Sequence, residues 1–313
     1  MSQVAKPVMP KSNPPFWYGS FAGLWVYYSV DVRALNAALA TQTSNFRAFD
    51  FGSGKGLVNI NFMTYAGHSG QNDPQAYLDL LQPVDPSSKT PPPSLGVEAS
   101  SECEFSIVAY PQARAAQVPF GLLTIPNFIA GNDHTKTLGN YRLAVPCDDR
   151  IAVYWGVNNY GENKVMTHPF LYDVPTLNNA AQAAWLFTVP GTVDEAFKFD
   201  SENYTCDPFM FSLNLDCSNA PSFPCNASEI IDYSMSAEGR PIGSRRNMFG
   251  SFVGYDLVKN PPTPPAKLTI GNSTHPLVSL MNGLLGNTAT PVAAQVLQSQ
   301  PVIAESSPYY VDL

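Results

Sequence analysis

Lys164 closes the stretch RIAVYWGVNNYGENKV (150–165), which otherwise holds charge only at Arg150 and Glu162. A lysine in a loop after a helix is ordinarily solvated, and its ammonium does no covalent chemistry. An amine that attacks a carbonyl must be neutral, so burial has to bring its pKa down from about 10.4 toward neutrality. A second pair of candidates is Glu102 and Glu104, in ECEFSIVAYP (102–111). Two residues apart on a strand, they point to the same face, as a pair of general acid/base carboxylates or as part of a solvated surface. If both are buried, one is expected to hold a proton near neutral pH.

Other chemistries lack their residues. The four histidines (His68, His134, His168, His275) show no HExxH or HxH spacing, so no metal is expected. GSGKG (52–56) lacks the remainder of a phosphate-binding loop and reads as a hairpin turn, and no GxSxG elbow occurs. No cofactor is expected.

The elements that would position these groups are mostly strands. The 313 residues are 44% hydrophobic and only 13% charged, with 29 prolines and 21 glycines, a composition of many short elements joined by turns. Segments 22–30, 56–66, 102–111, 183–191, 209–217, 249–258 and 300–313 are rich in β-branched and aromatic residues. In VNINFMTY, Val58, Ile60, Phe62 and Thr64 fall on one face and Asn59, Asn61, Met63 and Tyr65 on the other, which suits a lined cavity. Helical spacing appears at 30–40, behind an N-cap at Asp31, after Asp148 and Asp149, and at 275–286.

A net charge of −8 disfavours nucleic acid, and no apolar run is long enough for a membrane span. The N-terminus, MSQVAKPVMPKSNPPFWYG, has no secretory core, so a cytoplasmic location is expected. There the five cysteines are expected as free thiols, with a Cys206–Cys217 or Cys217–Cys225 bridge as the alternative.

AVYWGVNNYGENK (152–164) resembles the helix and loop of the acetoacetate decarboxylase-like superfamily, with Gly156 and Gly161 at its two glycines and Lys164 at its first lysine. Segments 24–40, 58–70 and 267–313 are similar to that superfamily's first strand and helix, its next strand and its C-terminal segment. The resemblance implies an α+β, mainly antiparallel fold: a β-cone or barrel with a few covering helices. It implies an extended arm over 1–20 and one domain over 21–313, with insertions near 71–97 and 201–228. Lys164 would form a Schiff base, and Glu104, or Glu102 under a two-residue shift, would act as acid or base. The superfamily's second lysine is Val165 here, leaving desolvation as the only activator, with Tyr154, Trp155 and Val165 as an apolar wall. Its substrate-gripping arginine has no counterpart near Phe21, the first arginine being Arg33, so plain acetoacetate decarboxylation is not expected.

The expectation is a cofactor-independent lyase, a homo-oligomer, acting on a carbonyl-containing, largely apolar small molecule of specialised metabolism by decarboxylation or aldol-type dehydration and ring closure. Trp25, Tyr27, Asn61, Tyr65, Tyr154 and Asn158 are its expected substrate-binding residues. A cyclase or isomerase that templates its substrate without an imine is the alternative. A non-catalytic protein that binds a hydrophobic metabolite is a further one.

Overall fold

A computed structural model describes residues 16–69, 96–175, 184–226, 230–248, 252–299 and 304–311. Strands dominate. The first half of the chain holds β1 (Phe16–Asp31), α1 (Val32–Ala40), β2 (Phe46–Ala48), β3 (Lys55–Ser69), β4 (Gly96–Pro111), α2 (Ile125–Ile129) and β5 (Gly139–Cys147). Next come α3 (Arg150–Tyr160), β6 (Lys164–Met166), β7 (Leu171–Asp173), β8 (Ala184–Pro190), β9 (Lys198–Asp200), β10 (Thr205–Asp207) and β11 (Phe209–Asp216). The remainder is β12 (Ser222–Cys225), β13 (Ile231–Met235), β14 (Pro241–Met248), β15 (Phe252–Asp256), β16 (Lys267–Ile270), α4 (Pro276–Leu284), β17 (Pro291–Ser299) and β18 (Ala304–Tyr310).

The helices begin where side chains cap them: Asp31 accepts from Arg33 N, and Asp149 accepts from Ala152 N. Asp148, expected at the same helix start, instead accepts from Ser101 N (2.6 Å) and Phe170 N (3.3 Å), tying the helix start to β4. The GSGKG segment is a turn into β3, with positive φ at Gly52, Ser53 and Gly54.

β3 pairs with both β1 and β4. Hydrogen-bonded neighbours therefore run from β1 through β3, β4, β5, β13, β14 and β18 back to β1, where the last contact is short, at Phe16 and Trp17. β17, β15 and β12 extend the sheet on the other side of β1. Among the described residues, all pairings are antiparallel except β5 with β13 and β5 with β6. A second sheet, β16-β11-β8-β7, packs on one face of the first: Phe62 stacks on Phe187 with ring centroids 4.4 Å apart, and Leu35, Leu39, Leu277 and Met281 from α1 and α4 join the same core.

The alternation expected for β3 is present, but both of its faces are buried. Val58, Ile60 and Phe62 enter the core against the second sheet, and Asn59, Asn61, Met63 and Tyr65 line the opposite, site-bearing face. α2 and α3 cover that face, with Phe128 edge-on to Tyr27 and Ala152 in its apolar cluster.

Three expectations need revision or stand beyond view. β1 begins at Phe16, inside the segment read as an arm, because residues 16–18 already pair with β3. The segment read as an insertion near 201–228 carries β10, β11 and β12, of which β11 is central to the second sheet. Residues 1–15 and most of 71–97 lie outside the described residues. All five cysteines are free thiols, so neither alternative bridge forms.

Candidate active site

α3 ends at Tyr160 because Gly161 adopts a left-handed conformation, φ 60°, and its N–H returns to Gly156 O. A side chain at Gly161 would also collide with the Met235 carbonyl. The chain then reverses into β6, with Asn163 Nδ2 donating to Leu143 O (2.7 Å) and Val145 N donating to Asn163 O (2.9 Å). This brings Glu162 and Lys164 onto one side, against β4 and β5.

The Lys164 side chain is only 5% exposed. Its Nζ lies 2.7 Å from Glu102 Oε2 and 3.1 Å from Glu162 Oε2. Tyr65 OH donates to the same Glu102 oxygen (2.8 Å). Glu102 and Glu104 share a buried face, as their spacing predicts, and the reading of them as a solvated surface fails. Each is matched to a different cation. Glu104 Oε1 lies 3.6 Å from Arg142 Nη1, and Asn61 Nδ2 donates to Glu104 Oε2 (3.0 Å). Arg142 Nη1 also lies 2.5 Å from Glu162 Oε1, so Glu162 bridges the two cations. Arg142 Nη2 donates to Ser234 Oγ (3.5 Å), and Ser234 donates in turn to Tyr160 O, fastening β5 and β13 to the end of α3.

Two consequences correct the sequence expectations. Desolvation was expected to lower the Lys164 pKa. Burial does act downward, but the carboxylates of Glu102 and Glu162 overcome it and hold the ammonium well above the ordinary lysine range. The groups that set its charge are therefore acidic, and the Trp155 side chain, expected in an apolar wall, lies outside the described residues. Second, the cluster holds a cation that the sequence reading did not assign to it: Arg142, from the middle of β5, is buried there and already held by two carboxylates.

Of the other expected binding residues, Asn61 and Tyr65 join the cluster. Trp25 and Tyr27 lie on the same face of β1, Trp25 in register with Asn61 and tilted against Phe252 (5.5 Å), Tyr27 donating to Gln295 Oε1 (2.8 Å). Asn158 does not belong. It is exposed, and its amide donates back to Tyr154 O one turn earlier (2.9 Å), because its position on α3 faces away from the sheet. Tyr154 is half-buried on the same helix. His168 stacks on Phe197 (4.1 Å), outside the cluster.

Arg142 and Glu162 are the residues sequence reasoning missed. Each carried a signal: Arg142 is the only charged residue in GNYRLAVPC, a strand buried throughout, and Glu162 sits two residues from Lys164 in a charge-poor stretch. Cys147 is in register with Glu102, and burial pushes its thiol up to about 12, so it is no nucleophile at neutral pH. A separate cleft of about 280 Å³, lined by Phe51, Ile125, Phe223, Tyr255 and Val292 among others, shares no residue with the cluster.

No protein-family model and no curated protein matches this sequence. Solved structures do match over nearly the whole chain. An acetoacetate decarboxylase-like enzyme from Sphingomonas wittichii RW1 aligns with a TM-score of 0.54 at 12% identity, covering 96% of this chain and 94% of that one. The enduracididine biosynthesis enzyme MppR, complexed with pyruvate, aligns with a TM-score of 0.55 at 12% identity over 98% and 99%. Acetoacetate decarboxylase from Legionella pneumophila aligns with a TM-score of 0.51 at 8% identity over 99% and 93%. The fold is acetoacetate decarboxylase-like, at 8–12% sequence identity to these structures.

Proposed function

We propose that this protein is an enzyme that acts on a carbonyl-containing small molecule through an imine at Lys164. The observation that carries this reading is the buried Nζ of Lys164, 2.7 Å from a carboxylate that can take its proton. The ammonium passes a proton to Glu102, and the freed amine attacks the carbonyl carbon. The carbinolamine then loses its hydroxyl as water, with Glu102 returning the proton. The resulting iminium places positive charge where the ammonium had been, so the Glu102 and Glu162 carboxylates that stabilise the resting lysine also stabilise the intermediate. An iminium withdraws electrons from the neighbouring carbon, which supports loss of CO2 or aldol-type dehydration and ring closure. MppR, of the same fold, is seen complexed with pyruvate and with the condensation product of pyruvate and imidazole 4-carboxaldehyde, which is carbonyl chemistry in that protein.

Plain acetoacetate decarboxylation stays disfavoured, now for a different reason: Arg142 exists, but Glu104 and Glu162 already neutralise it. Incubation with a ketone and borohydride, followed by peptide mass mapping, tests the reading. A reduced adduct on Lys164 is expected, and its absence with every ketone tried removes the imine.

The ammonium state of Lys164 favours a second reading, in which the lysine stays protonated and the site templates a cyclisation or isomerisation without a covalent bond. Turnover retained in Lys164→Met would select it.

A further inference from the structure

Most buried polar side chains of this fold are matched. Gln295 accepts from Tyr27 OH and donates to Ile129 O (2.7 Å), and Asp133 accepts from Thr135 N, Thr135 Oγ1, Thr137 N and Leu138 N. Beside the Lys164 cluster the pattern breaks. Asn59, Asn61, Ser106 and Asn140 are all fully buried. Yet Asn59 Oδ1, Asn61 Oδ1, Ser106 Oγ and both amide atoms of Asn140 have no hydrogen-bond partner. Trp25 Nε1, on the same face, is also without one. Buried polar atoms are costly when unmade, so five on four neighbouring residues mark a place where something else completes them.

Strand register shows that these residues form one patch. Asn59 is directly opposite Ser106, and Asn61 is opposite Glu104. Ser106 is in register with Arg142, and Asn140 with Val108, two residues further along each strand. Directly opposed side chains lie about 5 Å apart and diagonal ones about 7–8 Å. Along β4 the row Glu102, Glu104, Ser106 spans about 13 Å at the strand rise, so the patch starts at the lysine and leads away from it.

We propose that Asn59, Asn61, Ser106 and Asn140 form a recognition subsite for the uncharged, oxygen-bearing part of an elongated carbonyl substrate. The patch offers donors and acceptors of amide and hydroxyl type and no charge of its own. The adjoining ionic groups are four carboxylates (Glu102, Glu104, Glu162 and Asp232, the last in register with Asn140) and two cations (Lys164, Arg142), a balance that repels an anionic substrate. The substrate class is thus a neutral ketone or aldehyde carrying a second carbonyl or hydroxyl several carbons away, rather than a keto acid. The reading rests on the proposed reaction at Lys164 only for where the reacting carbonyl sits.

Three eight-carbon probes separate the terms: 2-octanone, 2,7-octanedione and 7-oxooctanoate. Binding is measured by calorimetry on the full-length wild type and on full-length Lys164→Met, which has no amine to form an imine, and borohydride trapping of the wild type is run in parallel. The dione is expected to bind at least ten-fold more tightly than 2-octanone, with 7-oxooctanoate weakest. Ser106→Ala and Asn140→Leu are each expected to bring the dione-to-ketone ratio toward one. Equal affinity for dione and ketone, a ratio unchanged in the variants, tightest binding of the oxo acid, or no binding of any probe overturns the subsite. If Asn140→Leu fails to fold, the smaller Ser106→Ala change decides alone. Calorimetric preference without a trapped adduct would overturn the imine and leave the subsite standing.

Discussion

Gly156, on α3, backs directly onto Lys164: a Cβ built there would lie 2.5 Å from Lys164 Cδ and closer still to Glu162 Oε2. The helix can approach the buried amine only because this position has no side chain.

Gly156→Ala sets two effects against each other. Alanine favours the helix by about 1 kcal/mol over glycine. Overpacking a tight site costs about 1–3 kcal/mol, and here both neighbours are held by ion pairs. Net destabilisation is expected, seen as a lower melting temperature, together with slower borohydride trapping at Lys164.

Glu102→Gln removes the nearest carboxylate from the ammonium. Because Glu102 and Glu162 hold the Lys164 pKa up, losing one lets it fall, and the pH profile for imine formation is expected to move to lower pH. A profile that stays in place would show that Glu102 does not set the lysine's protonation.

Arg142→Met acts with the opposite sign. Removing this cation leaves Glu104 and Glu162 less compensated, which favours the charged lysine further and moves the trapping profile to higher pH. Breaking a buried pair from one side also costs about 3–5 kcal/mol, so a clear loss of stability toward urea is expected.

Lys164→Met tests stability against pH. The folded lysine pKa is raised above its unfolded value near 10.4, so the stabilisation is fully present below that pH and is lost only as pH rises through the still higher folded value. The stability gap between wild type and variant is therefore expected to stay constant from pH 7 to about pH 10. A gap that instead shifts in favour of wild type as pH rises between 7 and 10 would mean that burial holds the folded lysine pKa below its unfolded value.

Away from the site, Glu195 is a second titration handle. Partial burial acts upward on its pKa, but bonds from Thr274 N, Ser273 Oγ and Thr192 N outweigh it and lower the value to about 2. The folded pKa is depressed, so its stabilising contribution is present above about pH 4.5 and fades as pH falls toward 2. Thermal melts of Glu195→Ala should run below wild type at neutral pH and converge with it in that acid window.

What local order along the chain determined was considerable. The period-two alternation of VNINFMTY assigned Asn59, Asn61 and Tyr65 to one face, the two-residue spacing of Glu102 and Glu104 put both on it, and the caps at Asp31 and Asp149 marked helix starts. These features depend on residues within a few positions of one another, so they are legible without a fold. Asn158 was misplaced because helical rotation alone does not say which side of α3 meets the sheet. The state of Lys164 was decided only by tertiary structure. Its partners come from β4 and from its own loop, and Arg142 from β5, brought together by the parallel β5–β6 pairing and the left-handed turn at Gly161. Charge interactions scale inversely with distance and rise as the surroundings lose water, and neither quantity is written in residue order. The sign of the lysine's pKa shift therefore belongs to the folded molecule.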